Sequence, residues 1–345
     1  MQIVLVHDSV GAVDAADAQD VLVQAEAVTQ ALHLLGHNCS SFACTLNLEA
    51  TLATLQERRA ELVFNLVESL AGQGRLIHLL PSCLEAWGIP YPGSSATALF
   101  LSSNKILTKQ RLQQAGVATP PWIGLHEEGA AAALAHLELG GAWIIKSVWE
   151  HASIGMAGDS VLKPHSIDGM AALQALLQKR SRMVAGPFFA EAFIDGREFN
   201  LGLLAHADAE AGVEVLPAAE IIFDQFPEGM PKIVDYAAKW DTDSFAYQHT
   251  CRHFPGNADS ALITRMETIA RQCWQTLRLQ GYARVDFRVD AAGAPWVLEV
   301  NSNPCLAPDA GFAAALAQAG IPFHRAVARI VQAARVEGAC TGRLC

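Results

Sequence analysis

The sequence predicts an α/β (α+β) protein built from several packed units. Short apolar runs alternate with helical periodicity between residues 3 and 103, and strand-like runs dominate from Pro187 onward. A helical stretch from Ser260 to Leu279 interrupts those strands.

Residues 3–7 read as a buried strand. Asp20 to Leu35 reads as a helix, with Val21, Ala25, Val28, Leu32 and Leu35 at helical spacing and Gly36 as its stop. Leu62 to Asn65 is a second short strand, followed by a Gly-bearing loop from Ser69 to Gly74 and a helix from Leu76 to Trp87. Strand, helix, strand, helix in this order predicts a small parallel α/β unit over residues 1–103. A helix from Lys105 to Ala115, a strand from Trp143 to Val148 and a helix from Ile167 to Lys179 predict a second unit over 104–186. The third, over 187–345, carries strands at Phe188–Phe193, Glu198–Leu204, Glu220–Ile222, Ala283–Val289 and Trp296–Asn301.

The chain has 345 residues, of which 51% are hydrophobic and 17% charged, a globular balance. Its net charge of −11 argues against a nucleic-acid binder, whose phosphate contacts need a basic surface. No apolar run approaches membrane-spanning length, and Ile3-Val4-Leu5-Val6 starts without a basic leader, so a cytoplasmic protein is expected. The eight cysteines form no Cys-x-x-Cys pair and read as reduced thiols; Cys340 and Cys345 lie in a polar tail.

Most of the chemistry points to one hairpin. Tyr282 to Arg288 and Trp296 to Asn301 flank the Gly-bearing loop Asp290 to Ala294. If Asp290 faces Pro295, then Asp286 faces Glu299 and Arg284 faces Asn301, all four on one sheet face by alternation. Opposed carboxylates repel, and a cation resolves the conflict. Carboxylate oxygens plus an Asn oxygen suit Mg²⁺ (or Mn²⁺), which keeps open positions for phosphates and water. A solvated hairpin face with incidental charges is the alternative. Lys146 stands inside the apolar strand Trp143-Ile144-Ile145, a costly place for a lysine without an anionic partner. Lys105 opens a helix. Glu191 and Glu198 flank the turn Asp195-Gly196, and such acids can accept hydrogen bonds from an adenine amino group or a ribose hydroxyl.

Lys105, Lys146, Glu191-x-x-Ile194-x-Gly196-x-Glu198, Lys239, Arg284-x-Asp286 and Glu299-x-Asn301-x-x-Pro304 stand in an order that resembles the D-alanine–D-alanine ligase-like ATP-grasp enzymes. Gly88-Ile89-Pro90-Tyr91-x-Gly93-Ser94 and the run Leu107-Thr108-Lys109 to Pro121 match as well. The resemblance covers roughly residues 60–315 and implies an ATP-grasp fold with an N-terminal Rossmann-like pre-ATP-grasp domain. It implies Mg-ATP as cofactor, a small-molecule carboxylate and an amine as substrates, and a homodimer. Lys105 and Lys146 would hold phosphates, Glu191 with the backbone near Phe193 and Ile194 the adenine, and Glu198 the ribose. Asp286, Glu299 and Asn301 would bind the metal, and Arg284 would stabilise a tetrahedral intermediate. Lys239 would reach the transferred phosphate from a loop around Asp235 to Trp240. Ser153 would act from the phosphate-covering loop Glu150-His151-Ala152-Ser153-Ile154-Gly155-Met156. The segment from Gly229 to Pro255 is expected to be a mobile lid.

The chain also departs from the family. His7-Asp8-Ser9-Val10-Gly11 replaces the N-terminal Gly-Gly-x-Ser-x-Glu signature. Counting back from Gly36 puts Asp17 near the family's substrate-ammonium acid, while an N-cap role is equally open for Asp17 or Asp20. Glu68-Ser69 stands for the family's His-Gly. After Asn301, Cys305 to Gly311 carries no hydroxyl where the family grips the acceptor carboxylate, and Asp309 adds negative charge. These departures predict a carboxylate–amine ligase with substrates of its own. D-alanine–D-alanine ligation itself is the alternative, and an ATP-binding regulator without turnover is the reading from another class. Cys305 reads as a packed thiol rather than a nucleophile.

Overall fold

The computed structural model describes residues 1–11, 16–124, 141–150, 153, 156, 158–163, 167–183 and 186–334. His151, Ala152, Ile154, Gly155, the side chain of Asp17, and the tail cysteines Cys340 and Cys345 lie outside them.

Residues 1–65 wind through β1 (Gln2–Asp8), α1 (Ala16–Leu34), β2 (Asn38–Cys44), α2 (Leu48–Glu57) and β3 (Leu62–Asn65). The strands are parallel in the order β2-β1-β3, so β1 is central. That position explains why Ile3 to Val6 are an unbroken, fully buried apolar run. The strand β2, Asn-Cys-Ser-Ser-Phe-Ala-Cys, mixes polar and small residues, is buried only at Cys44 and gives no such signal. α3 (Leu79–Trp87) stops at Gly88, whose left-handed φ of 68° forms the C-cap. α4 (Ala96–Ser103) and α5 (Lys105–Gln114) follow.

A second sheet holds β4 (Trp122–Ile123), β5 (Trp143–Ser147), β6 (Val161–Leu162) and β7 (Phe188–Ala192) in antiparallel order β4-β7-β5-β6, with α6 (Ile167–Met183) packed on it. This corrects one expectation. β7 lies beyond residue 186 but pairs with β4 and β5, so the strand that opens the sequence's strand-rich half belongs to the middle sheet.

The third sheet contains β8 (Arg197–Ala205), β9 (Val213–Val215), β10 (Ala219–Phe223), β11 (Thr250–His253), β12 (Tyr282–Val289) and β13 (Pro295–Asn301). Its order is β11-β10-β8-β12-β13, with β9 paired to β8. Two short helices, α7 (Tyr236–Trp240) and α8 (Phe245–Gln248), precede β11, and α9 (Ser260–Thr276) packs on the sheet. The chain continues into α10 (Gly311–Gln318) and α11 (Phe323–Gln332). Val28 and Leu32 of α1 share one core with Phe312, Leu316, Val327 and Ile330, which ties the first unit to the third. No helix among the described residues is long and apolar enough to cross a membrane.

The same two units also meet backbone to backbone. Gly281, at φ +68°, lies against Gly93, and a Cβ on it would stand 2.8 Å from the Gly93 N and Cα. The Ser94 hydroxyl bonds the backbone of Gln280 beside it. Gly281→Ala should therefore cost about 2–4 kcal/mol of stability, through both strain and forced separation of the units. Urea unfolding reads this directly, and an unchanged midpoint would contradict the close approach.

Candidate active site

The hairpin face forms as the alternation requires. Arg284 pairs with Asn301 and Asp286 with Glu299 across β12 and β13. The loop register does not: Pro295 faces Val289 rather than Asp290, and a β-bulge after Asp286 absorbs the difference. Asp290 instead caps the turn, accepting hydrogen bonds from the N–H groups of Ala292 and Ala294 and from the Trp296 indole. On the other side of β12, β8 sets Asn200 opposite Asp286.

Arg284 grips Asp286 bidentately, Nε to Oδ1 at 2.7 Å and Nη2 to Oδ2 at 2.8 Å. Burial would lower the Arg284 pKa, but Asp286 and Glu299 outweigh it and hold the guanidinium charged. Asn301 turns its side-chain oxygen onto the Asn303 N–H at 2.9 Å, which fixes the amide in place. Among the described residues no three or more His, Cys, Asp and Glu side chains close into a metal cage. Two carboxylates and an amide oxygen on one open face fit Mg²⁺ or Mn²⁺, which take few protein ligands and leave positions for phosphate oxygens.

This face forms one wall of a cleft of ≈ 790 Å³ that Lys105, Lys146 and Glu191 also line. Asn104 caps α5 by accepting from the Leu107 N–H at 3.0 Å, which sets Lys105 in the first turn, and its ammonium donates to the Glu150 carbonyl at 2.7 Å. One helical turn later, Lys109 is 1% exposed. Its ammonium sits 2.6 Å from Glu191 Oε2, while Lys146 sits 2.5 Å from Oε1. Burial alone would raise the Glu191 pKa; the two ammonium groups outweigh it and hold the carboxyl below the ordinary value. Burial likewise pulls Lys105 and Lys109 down, against the pull of Glu299 and Glu191 respectively. Glu191 therefore meets lysines on both oxygens, and neither oxygen has appreciable surface to offer a base. Phe193 donates its N–H to the Ala142 carbonyl at 2.8 Å, and Ile194 lines the cleft beside it. Glu198 pairs with the buried Arg288 at 2.8 Å, and that guanidinium lies 5.4 Å from the Phe193 ring centroid.

Asp235 caps α7 by accepting from the Ala238 N–H, and α7 carries Lys239 into the cleft. Burial lowers the Lys239 pKa and Arg284 lowers it further, while Glu299, Asp286 and Glu198 raise it. Ser153, at φ 63°, donates its hydroxyl to the Val234 carbonyl at 2.7 Å, just ahead of α7. Within the segment 229–255, expected to be a lid, Thr250 to His253 form β11, paired along β10.

The far end of the cleft is acidic. Asp20 lies inside α1, not at its N-cap, and accepts the Cys305 thiol at 2.9 Å. Burial and Asp20 both push the Cys305 thiol up, so it is a protonated donor and not a nucleophile. Asp8 accepts from Glu68 N–H and from the Ser69 N–H and hydroxyl. Glu68 takes a hydrogen bond from Gln24 at 2.9 Å. Burial pushes its carboxyl up to about 7, with Asp8 and Asp20 adding to the rise. A raised folded-state pKa means that the folded chain holds this proton more tightly. The stability it contributes is complete below pH 4.5 and is lost as pH rises through 7. Glu68→Gln should therefore gain on the native chain between about pH 5 and about pH 8. Denaturant midpoints at both pH values read this, and a constant difference would contradict the burial of an ionisable Glu68.

Sequence reading left Lys109, Arg288 and Asn200 without a role. Lys109 is one helical turn from Lys105, and Asn200 and Arg288 continue the two-residue alternations Glu198–Asn200 and Arg284–Asp286–Arg288. Periodicity applied one step further would have found all three.

Comparison with known proteins agrees with this geometry. The family model described as D-ala D-ala ligase C-terminus matches residues 112–332. A D-alanine–D-alanine ligase of Synechococcus sp. (strain JA-2-3B'a(2-13)) is 30% identical over 328 residues, covering 95% of this chain and 92% of the relative. One from Synechococcus sp. (strain JA-3-3Ab) is 31% identical over 328 residues, covering 94% and 92%. The crystal structure of the Bacillus anthracis D-alanine–D-alanine ligase superposes with a TM-score of 0.71 at 19% identity, covering 96% of this chain and 97% of that one, and so shares its fold. The chain thus belongs to the D-alanine–D-alanine ligase family of ATP-grasp ligases.

Proposed function

We propose that this chain joins a carboxylate to an amine at the expense of ATP, through an acyl phosphate, and that Asp286, Glu299 and Asn301 hold the divalent cation of the nucleotide. The observation that carries this reading is the convergence of the Asp286–Glu299 pair, Arg284, Lys105 and Lys146 on one cleft. The cation, when bound, neutralises charge on the phosphates. Lys105 and Lys146 supply positive charge for the phosphates, and Glu191, with Lys109 behind it, orients Lys146. Phe193, Ile194 and Glu198 border the space for the base and ribose. Lys239 reaches toward the transferred phosphoryl group, Ser153 donates to the Val234 carbonyl ahead of α7, and Arg284 stabilises the oxyanion formed when the amine attacks. Closure of the lid excludes water from the acyl phosphate.

The amine substrate, on this reading, is not free D-alanine. A free amino acid brings a carboxylate, yet Asp20, Glu68 and Asp309 line this end of the cleft, and Ala310 and Gly311 offer no hydroxyl. One feature favours the second reading, D-alanine–D-alanine ligation itself. Arg252, on β11, lies beside Gly311 at the start of α10 and presents a guanidinium to the same space. His253 alternates to the opposite face of β11.

Two measurements test these assignments. Glu299→Gln should lower turnover by roughly 10²-fold or more with the fold intact; near-normal activity would remove the metal assignment. ADP release should be faster with some member of a panel of amines and carboxylates than with D-alanine alone. Robust D-alanyl-D-alanine formation at millimolar D-alanine would decide for the second reading.

A further inference from the structure

Arg288 is buried on β12, and neither the sequence pattern nor the resemblance gives it a role. β8 sets Glu198 directly opposite it, and β10 sets Ile221 opposite Glu198, so the three form one row across the sheet. All three line the cleft. By alternation the row lies on the face that carries Asp286, two residues along β12 and so ~7 Å away. A phosphate chain can bridge such a distance.

Three segments hold the guanidinium. Nη1 donates to the Gly196 carbonyl at 3.1 Å, in the turn ahead of β8. Nη2 lies 2.8 Å from Glu198 Oε2 and donates as well to the Lys232 carbonyl, ahead of α7. The ring centroids of Phe193 and Phe223 lie 5.4 and 5.6 Å from the guanidinium carbon, within reach of cation–π attraction. At 3% exposure, Arg288 is a fixed donor and not a solvated charge. Glu198 has the opposite character. Several rotatable bonds separate its carboxylate from the backbone, and Arg288 is its one salt-bridge partner among the described residues. Its Oε1 has no hydrogen-bond partner among them.

We propose that Arg288 is a positioning residue: it holds Glu198 by Oε2 so that Oε1 accepts from a ribose hydroxyl, and it thereby sets the preference of the nucleotide site for ribonucleotides. The inference rests on the assignment of Glu198 to the ribose made above. A ribose presents two vicinal hydroxyls, both donors, and an ionised carboxylate only accepts. The bond to a hydroxyl is worth most when the carboxylate is already held in place, because little rotamer freedom is then lost on binding. Without Arg288 the carboxylate loses its tether, and discrimination between a ribose and a deoxyribose falls.

The test compares dissociation constants for ATP, 2′-deoxy-ATP and 3′-deoxy-ATP, measured by isothermal titration calorimetry with Mg²⁺ and no other substrate. The native chain should bind ATP about tenfold more tightly than the poorer of the two deoxynucleotides. Glu198→Ala should remove most of that ratio. Arg288→Met, of similar length and without charge, should lower it to nearly the same value. The double variant should lower it no further, since one residue acts through the other. Should Arg288→Met fail to fold, Arg288→Lys carries the same comparison, because an ammonium without the planar fork cannot hold all three acceptors at once. A merely structural role for Arg288 would weaken all three nucleotides equally. A folded Arg288 variant with the native ratio, where Glu198→Ala has lost it, overturns the role of Arg288 and leaves the ribose assignment standing. A native ratio in Glu198→Ala overturns both.

Discussion

The structure depends on one unfavourable contact. Asp286 and Glu299 face each other across a strand pair, and like charges at that separation repel. The fold surrounds the pair with cations from every side. Arg284 comes from the same strand, Lys105 from the first turn of α5 and Lys239 from α7, and Glu299 acts on the pKa of each. Three parts of the chain, remote in sequence, thus bring cations to one face, although burial still holds the Lys105 and Lys239 pKa values below the ordinary lysine value. A cleft arranged in this way is suited to a ligand that brings both anionic phosphates and a divalent cation.

Beside that face lies a second constraint, buried except for Lys146, which reaches the cleft. Glu191 on β7 is held between Lys109 of α5 and Lys146 of β5. Pairs of this kind add little net stability relative to apolar packing, yet removing one partner leaves an uncompensated charge and costs about 3–5 kcal/mol. Lys109 is further fixed by the Thr119 hydroxyl at 2.7 Å and lies 5.6 Å from the Trp122 ring centroid. The arrangement therefore specifies geometry more than stability. It sets the middle sheet at a defined distance from α5 and leaves the Lys146 ammonium oriented at the cleft.

Much of this was legible in the sequence, for identifiable reasons. The pairing of Asp286 with Glu299 followed from two-residue alternation, even though the loop register assumed for it was wrong, because the bulge after Asp286 restores the count. β1 and β3 were legible because both are buried and largely apolar, and β2 was not because all of it but Cys44 keeps some exposure and it carries Asn38, Ser40 and Ser41. β7 was legible as a strand but not as a member of the middle sheet, since strand pairing between distant segments leaves no local mark. Both lysine partners of Glu191 come from other elements, so its sequence neighbours carry no sign that its oxygens are engaged. Part of the segment expected to be a lid is β11, which its exposed and polar sequence, Thr-Cys-Arg-His, disguises.

Activation of the carboxylate through an acyl phosphate in this cleft would leave its mark on the fate of oxygen. The substrate pair that releases ADP fastest would be supplied with ¹⁸O in its carboxylate, and the released phosphate analysed by mass spectrometry. If phosphoryl transfer to that carboxylate precedes amine attack, one ¹⁸O appears in the phosphate for each amide formed, with ADP as the other product. Phosphate free of ¹⁸O, or AMP and pyrophosphate in place of ADP, would contradict the account.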